Sequence, residues 1–362
     1  MSPLPSTSSP QRLPWLLLVL LVTAPALADP GPRYAWERGL APSAEGRSST
    51  PTPTLRLPSE SAETPLGDAP GDEALAGLIL RAAPDAPAQR VLLLSIDGLR
   101  PDALSASETP VLMWLMAHGL SARHARTLRR SLTLPSHASM MTGVGIVRHR
   151  LGWNSFHLSR GRSHFPSIFR VAHAAGISTA LFVGKPKLSH ILEPGDADTF
   201  EVGGILCDRV NARALPYLRE MASGLAFVHY PDPDGAGHRD GWMSPNYHRA
   251  VRRSDRCLGE VLEALSTHGF ARTLIIVTAD HGGHDHTHGT SARVDRRIPW
   301  IAFGGVVRPG EVMRGVRTLD TAPTILRALG LPLPHGLEGR AIEAAFTQRR
   351  ARAPCWQPVS RR

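Results

Sequence analysis

Three apolar runs in this chain each lead into an aspartate: Val91 to Ile96 before Asp97, Leu225 to Tyr230 ahead of Asp234, and Thr273 to Thr278 ahead of Asp280. Short runs of this kind, bounded by turn residues, are characteristic of strands buried on both faces, which a parallel sheet requires. Carboxylates just past the carboxyl ends of such strands lie where open α/β sheets place their sites. The pattern predicts an α/β sheet with its chemistry along one edge.

The remainder of the ordered region alternates in the same way. Helices are expected over 109–118, 165–175, 210–222, 245–268 and 320–329, and further strands over 177–183 and 299–303. Such alternation implies a three-layer α/β/α sandwich, a mainly parallel central sheet with helices on both faces. A chain of 362 residues is long enough to bury the core this needs.

Composition divides the chain into four segments. Arg12 precedes an apolar run from Leu13 to Val22, and Ala26-Leu27-Ala28 offers small residues for cleavage before Asp29. That run is too short for a bilayer core of roughly 30 Å, so residues 1–28 are expected to be a secretory signal peptide cleaved after Ala28, with an uncleaved anchor as the alternative. Export to the periplasm or the medium, with no stable membrane span, follows from it. Residues 29–89, rich in Pro, Ser, Thr, Ala and Gly, are expected to form a linker or loosely packed arm with one short helix over 72–82. Such a composition buries too little apolar surface to offset its ordering entropy. The catalytic domain is expected over 90–345, and the basic tail over 346–362 is expected to fray.

The formal charge of +10 comes mostly from scattered arginines, with small groups at Arg129-Arg130, Arg252-Arg253 and 349–352. No aromatic-interleaved basic stripe accompanies them, which argues against sequence-specific nucleic-acid binding and for attraction to small anionic substrates or surfaces. Three cysteines are too few for a disulfide scaffold; export would permit one bridge, with Cys207 and Cys257 the pair inside the domain and Cys355 in the tail.

The site chemistry follows from residue types and spacing. Asp97, followed by Gly98, delivers a carboxylate at a tight turn, although taken alone it is better explained as a helix-cap or turn aspartate after a core strand. Asp280-His281 sets an oxygen and a nitrogen ligand side by side before Gly282-Gly283, which suits a borderline metal such as zinc. Asp234 and His238 are separated by Gly235, Ala236 and Gly237, small residues expected to let a loop curl until both side chains face one ion. A later histidine comes from a crowded stretch: His288 is selected because His288-Gly289-Thr290 leaves length to fold back, whereas His284 and His286 are expected in an exposed loop or in support of the ligands. With Thr133 the set is Asp97, Thr133, Asp234, His238, Asp280, His281 and His288. Two divalent ions roughly 3.5 to 4 Å apart would account for it.

Thr133 is the candidate nucleophile, since an alcohol becomes competent near neutral pH when a divalent cation stabilises its alkoxide. The residues after it resemble a helix start, whose amides favour an anionic phosphoryl oxygen. A plain N-cap role before Pro135 is the structural alternative. No G-x-S-x-G elbow is present to support a serine hydrolase.

These ordered motifs resemble the alkaline phosphatase superfamily and, within it, the type I phosphodiesterase and nucleotide pyrophosphatase family. The resemblance covers roughly Arg90 to Gly339. It implies an alkaline-phosphatase-like fold, two zinc ions on the seven residues above, Asn154 as a donor to a phosphate oxygen, and hydrolysis of small phosphate esters through a phosphothreonine intermediate. The departure from the family is Val183-Gly184-Lys185-Pro186-Lys187, where nucleotide diesterases usually carry a Trp-Pro-Gly-like segment. A lysine at the mouth of the site would favour the more highly charged monoester, so Lys185 and then Lys187 are expected to bind substrate, with two solvated lysines as the alternative. A phosphomonoesterase, a phosphonate hydrolase and a non-catalytic metal-binding protein are the competing readings. A sulfatase is disfavoured, because Thr133-Leu134-Pro135-Ser136-His137 lacks the C/S-x-P-x-R context.

Overall fold

Continuous burial of the aliphatic runs sets the architecture of the computed structural model, which describes residues 72–105, 107–311 and 315–346. The expected signal peptide, most of the arm and all but the first residue of the basic tail lie outside the described residues. Along the chain come β1 (Arg90–Ile96), α1 (Pro110–His118), β2 (Leu120–Arg126), α2 (Thr133–Thr142), α3 (Ile146–His149), α4 (Ile168–Ala174) and β3 (Thr179–Val183). There follow β4 (Thr199–Val202), α5 (Cys207–Glu220), β5 (Gly224–Tyr230), α6 (Asp232–Asp240), α7 (Pro245–Ser266) and β6 (Thr273–Thr278). The remaining elements are α8 (Arg293–Arg296), β7 (Arg297–Phe303), β8 (Gly310–Glu311) and α9 (Thr321–Ala328).

The eight strands form one sheet in the order β4-β3-β5-β1-β6-β7-β2-β8. All pairings are parallel except those of β7 with β6 and β2. Every residue of β1, β5 and β6 is buried, as expected for central strands covered on both faces. Helices α1, α5 and α6 pack against α7, while α2, α4 and α9 form a second group. A disulfide joins Cys207 at the start of α5 to Cys257 in α7. No helix among the described residues is long and apolar enough to cross a membrane.

Several local expectations give way to tertiary structure. In place of a helix over 72–82 there is one 3-10 turn at Asp72–Ala74; Gly77 takes φ +72°, and Leu75 and Ala88 join the core beyond it. Helix α4 starts three residues late, capped by Ser167, whose hydroxyl accepts from the Arg170 amide. Strand β2, Leu-Ser-Ala-Arg-His-Ala-Arg, has no aliphatic run and is held by pairing with β7 and β8. The largest revision concerns Asp234 and His238, which stand on helix α6 rather than on a curled loop.

Asp255, buried on α7, caps α1 across the fold by accepting from the amides of Val111 (3.1 Å) and Leu112 (2.8 Å). Burial pushes its carboxyl up to about 6 against the pull of those hydrogen bonds. The folded state therefore retains a proton that an unfolded aspartate, with a pKa near ~3.9, has already lost. Its contribution to stability falls as pH rises from about 4 to 6 and is flat above. Asp255→Asn is expected to lack that component, so the Tm difference between variant and wild type should change across this window, with turnover unaltered. A constant difference from pH 4 to 8 would refute the assignment.

Candidate metal centre and nucleophile

Four adjacent strands bring the candidate site together at their carboxyl ends. Asp97 follows β1, Asp280-His281 follow β6, α6 opens just after β5, and Lys185 follows β3 with only Gly184 between. The amide of Asp234 donates to the carbonyl of Asp97 at 3.0 Å, and a Cβ on Gly98 would meet the Asp234 backbone at 3.0 Å. The glycine, at φ +73°, is thus required for the two aspartates to approach.

On α6, Asp234 and His238 are four residues apart and share one face, with 3.3 Å between Oδ1 and Nε2. Of the small residues between them Gly237 serves packing: a Cβ there would fall 2.5 Å from the Trp242 indole, and one on Gly283 would fall 2.2 Å from the same ring system, whereas a Cβ on Gly235 would meet open space. Trp242 is wedged between these two glycines and donates to the carbonyl of Gly98 at 3.0 Å. Asp232, two residues before Asp234, points elsewhere. It accepts from the amide of Cys207 and from Arg253, closing the start of α5.

The donor atoms are arranged as two adjacent clusters that meet at His281. From His281 Nε2 the distances are 3.3 Å to Asp97 Oδ1, 3.2 Å to Asp280 Oδ2 and 3.4 Å to Thr133 Oγ1. From Asp234 Oδ1 they are 3.3 Å to His238 Nε2 and 3.5 Å to His288 Nε2, with 3.9 Å across to His281. A tetrahedral ion with bonds of about 2.0–2.1 Å keeps its ligand atoms about 3.3 Å apart. The same three carboxylate oxygens, Asp97 Oδ1, Asp234 Oδ1 and Asp280 Oδ2, are buried without a hydrogen-bond partner among the described residues. Each histidine has its Nδ1–H committed to a backbone carbonyl: His281 to Gly282, His238 to His286, His288 to Ser131. That fixes the tautomer and leaves Nε2 as a lone-pair donor. Orphaned oxygens facing bare imidazole nitrogens fit divalent cations.

The carboxylates are supported unequally. Asp97 Oδ2 accepts from His229 Nε2–H at 3.0 Å and lies 2.7 Å from Lys185 Nζ, and Asp234 Oδ2 lies 2.5 Å from the same Nζ. Burial opposes ionisation of both, yet Lys185 holds them well below the usual carboxylate range. Among the described residues Asp280 accepts only from the amides of Gly98 and His281; burial and the nearby Asp97 push it up. His229 takes its orientation from the Gly184 amide, which donates to Nδ1 at 3.2 Å.

Thr133 is the first residue of α2, with Leu132 as N-cap, so it does not serve as a capping side chain. His137, one turn on, hydrogen-bonds to the Thr133 carbonyl through Nδ1 and to Ser95 through Nε2, both at 2.9 Å. Asn154 Oδ1 accepts from the Leu134 amide at 3.0 Å and from Lys187 Nζ at 3.0 Å. Both partners are donors, which assigns this atom as the oxygen and leaves the amide NH2 without a hydrogen bond among the described residues. Of the two lysines expected at the mouth, Lys187 thus stands beside Asn154, whereas Lys185 lies between two aspartates.

His229, His137 and Asp295 were missed by sequence reasoning. Buried Asp295 accepts from His284 Nδ1 (2.6 Å) and from the Thr290 amide and hydroxyl, tying down the loop that runs from His281 to His288. His229 interrupts the aliphatic run of β5, and a polar residue inside a buried strand was the one visible signal.

A family model described as type I phosphodiesterase / nucleotide pyrophosphatase matches residues 91–174 and 178–299. Human ectonucleotide pyrophosphatase/phosphodiesterase family member 5 is 26% identical over 219 residues, 54% of this chain and 45% of that protein. A 2,3-bisphosphoglycerate-independent phosphoglycerate mutase of Nostoc sp. is 32% identical over 145 residues, 37% of this chain and 26% of that enzyme. The chain spans less than half the length of these curated relatives. Among solved structures, murine ectonucleotide pyrophosphatase / phosphodiesterase 5, an inactive variant in complex with AMP, superposes with a TM-score of 0.59 at 16% identity, covering 69% of this chain and 97% of that one. A phosphonate monoester hydrolase from Silicibacter pomeroyi gives 0.54 at 19%, covering 70% and 76%. A 2-O GAG sulfatase gives 0.59 at 14%, covering 70% and 73%. At such identities these structures speak for the fold alone. The matched segments contain Thr133 and both Asp-His motifs, and the chain belongs to the type I phosphodiesterase / nucleotide pyrophosphatase family, within the alkaline phosphatase superfamily.

Proposed function

We propose that the protein is an exported hydrolase of small phosphate esters that uses two divalent ions, zinc by its donor set, and Thr133 as nucleophile. The observation that supports this best is the set of orphaned oxygens of Asp97, Asp234 and Asp280 facing the Nε2 atoms of His281, His238 and His288 beside Thr133. Asp97, Asp280, His281 and Thr133 would hold one ion, and Asp234, His238 and His288 the other. Two such ions supply charge neutralisation and make alcohol and water oxygens nucleophilic near neutral pH.

Thr133 Oγ1 bonds to phosphorus as the bond to the leaving oxygen breaks, and the released alcohol carries away a proton. Water then cleaves the Oγ1–phosphorus bond, Thr133 regains its proton and the phosphate product departs. The free amide NH2 of Asn154 donates to a phosphoryl oxygen, next to the first turn of α2. The Cys207–Cys257 disulfide fits an oxidising, extracytoplasmic compartment. Initial rates of zinc-loaded protein on p-nitrophenyl phosphate, bis-p-nitrophenyl phosphate and a dinucleotide pyrophosphate test the reading. Absence of turnover on all three would overturn it.

Lys187 favours monoesters as a second reading, because its ammonium reaches Asn154 and is the remaining lysine beside the nucleophile. Burial, and then the neighbouring Lys185, lower it to about 8. Its positive charge is lost as pH rises through that value, so KM for a monoester should climb above pH 8 in the wild type. The Lys187→Met variant should start with a raised KM and lack the limb; an identical KM profile in both would remove Lys187 from the substrate site.

A further inference from the structure

Lys185 is placed between the aspartates by the glycine that precedes it. Gly184 is pressed against the junction of β5 and α6, where a Cβ would fall 2.4 Å from Pro231, and its amide is committed to His229. The ammonium that follows spans Asp97 Oδ2 and Asp234 Oδ2, at 2.7 and 2.5 Å. These carboxylates belong to different clusters, one on each side of the His281–Asp234 gap. In both, the oxygen opposite the lysine is the orphaned one.

We propose that Lys185 is a positioning residue for the metal centre, an ammonium strut that engages one oxygen of a carboxylate in each half-site and thereby aims the other oxygen at its ion. This rests on the two-ion reading above and replaces the expectation that Lys185 grips the substrate. The physical reason is satisfiability: a buried carboxylate with only one oxygen bound to a metal keeps lone pairs that need donors. For Asp97 these donors are Lys185 and His229; for Asp234, Lys185 is the one described. Freed of the lysine, both carboxylates could rotate or chelate through two oxygens, and the donor spacing that matches a tetrahedral ion would be lost. The ammonium also repels the ions, so the strut predicts that orientation outweighs repulsion, and affinity measures which wins.

Zinc affinity and stoichiometry, by competition with a chromophoric chelator, together with inhibition by inorganic phosphate at saturating zinc, test this in wild type and Lys185→Met. The wild type should bind two ions per chain. The variant is expected to bind zinc about 10–100-fold more weakly, as for lost support of other metal ligands, with the phosphate inhibition constant within about threefold of wild type once the metal is saturating. Unchanged or tighter zinc binding overturns the strut, and a tenfold weaker phosphate affinity with normal zinc binding restores the substrate role. Should Lys185→Met fail to fold, Lys185→Gln, which can donate to one carboxylate at a time, gives the same contrast. A wild-type protein that binds fewer than two ions sinks the two-ion reading instead, a separable failure.

Discussion

Replacing Thr133 with alanine should lower turnover of phosphate esters by at least about a thousandfold, the scale on which a covalent nucleophile is missed. Its Oγ1 lies 3.4 Å from His281 Nε2 at the start of α2, and its side chain makes no capping hydrogen bond there. The substitution deletes one hydroxyl and a methyl from a helix whose other contacts stay in place, so Tm should shift by no more than a few degrees. Rates on p-nitrophenyl phosphate and the Tm of the same purified sample settle it. Wild-type-like turnover would show that another group attacks phosphorus. A collapse in Tm would mean that the lost activity reports unfolding.

Removal of divalent ions is expected to abolish activity and also to soften the fold. Three buried carboxylates with Asp97, Asp234 and Asp280 oxygens unpartnered are tolerable in company with cations and costly without them. Lys185 offsets only part of that charge, which leaves Asp280 pushed up and His281 raised to about 9, burial opposing the latter and the carboxylates prevailing. Binding of zinc at a thousandfold above its dissociation constant adds about 4 kcal/mol, on the order of 10 °C in Tm for a domain of this size. Dialysis against dipicolinate should bring turnover below about 1% and lower Tm, and added zinc should restore both. Full activity in protein shown to be free of metal, or a Tm indifferent to zinc, would contradict the site.

Much of this is legible in the sequence itself, for physical reasons. Strands β1, β5 and β6 are buried on both faces, and continuous apolar burial leaves a run that needs no partner to be read. Asp97 directly follows such a strand and Asp280-His281 stand one residue past another, so local order already points them at one edge. Helix α6 was misread because Asp-Gly-Ala-Gly-His has low helix propensity. Trp242, from beyond the end of the helix, packs so closely on Gly237 that a Cβ there would fall 2.5 Å from the indole, a contact that propensity does not register. Strand β2 was invisible since its partners, β7 and β8, lie far along the chain.

The distinction is one of range. Residue type and nearest neighbours carried the fold class, the two Asp-His motifs and the choice of Thr133, because burial periodicity and ligand chemistry are properties of short stretches. Which oxygen of each carboxylate is free, which imidazole nitrogen is bare, and whether Lys185 faces substrate or two aspartates were decided only when β3, β5, β1 and β6 lay side by side. The contacts of Lys185 and of the carboxylates join residues 49 to 184 positions apart along the chain, and no local pattern encodes them.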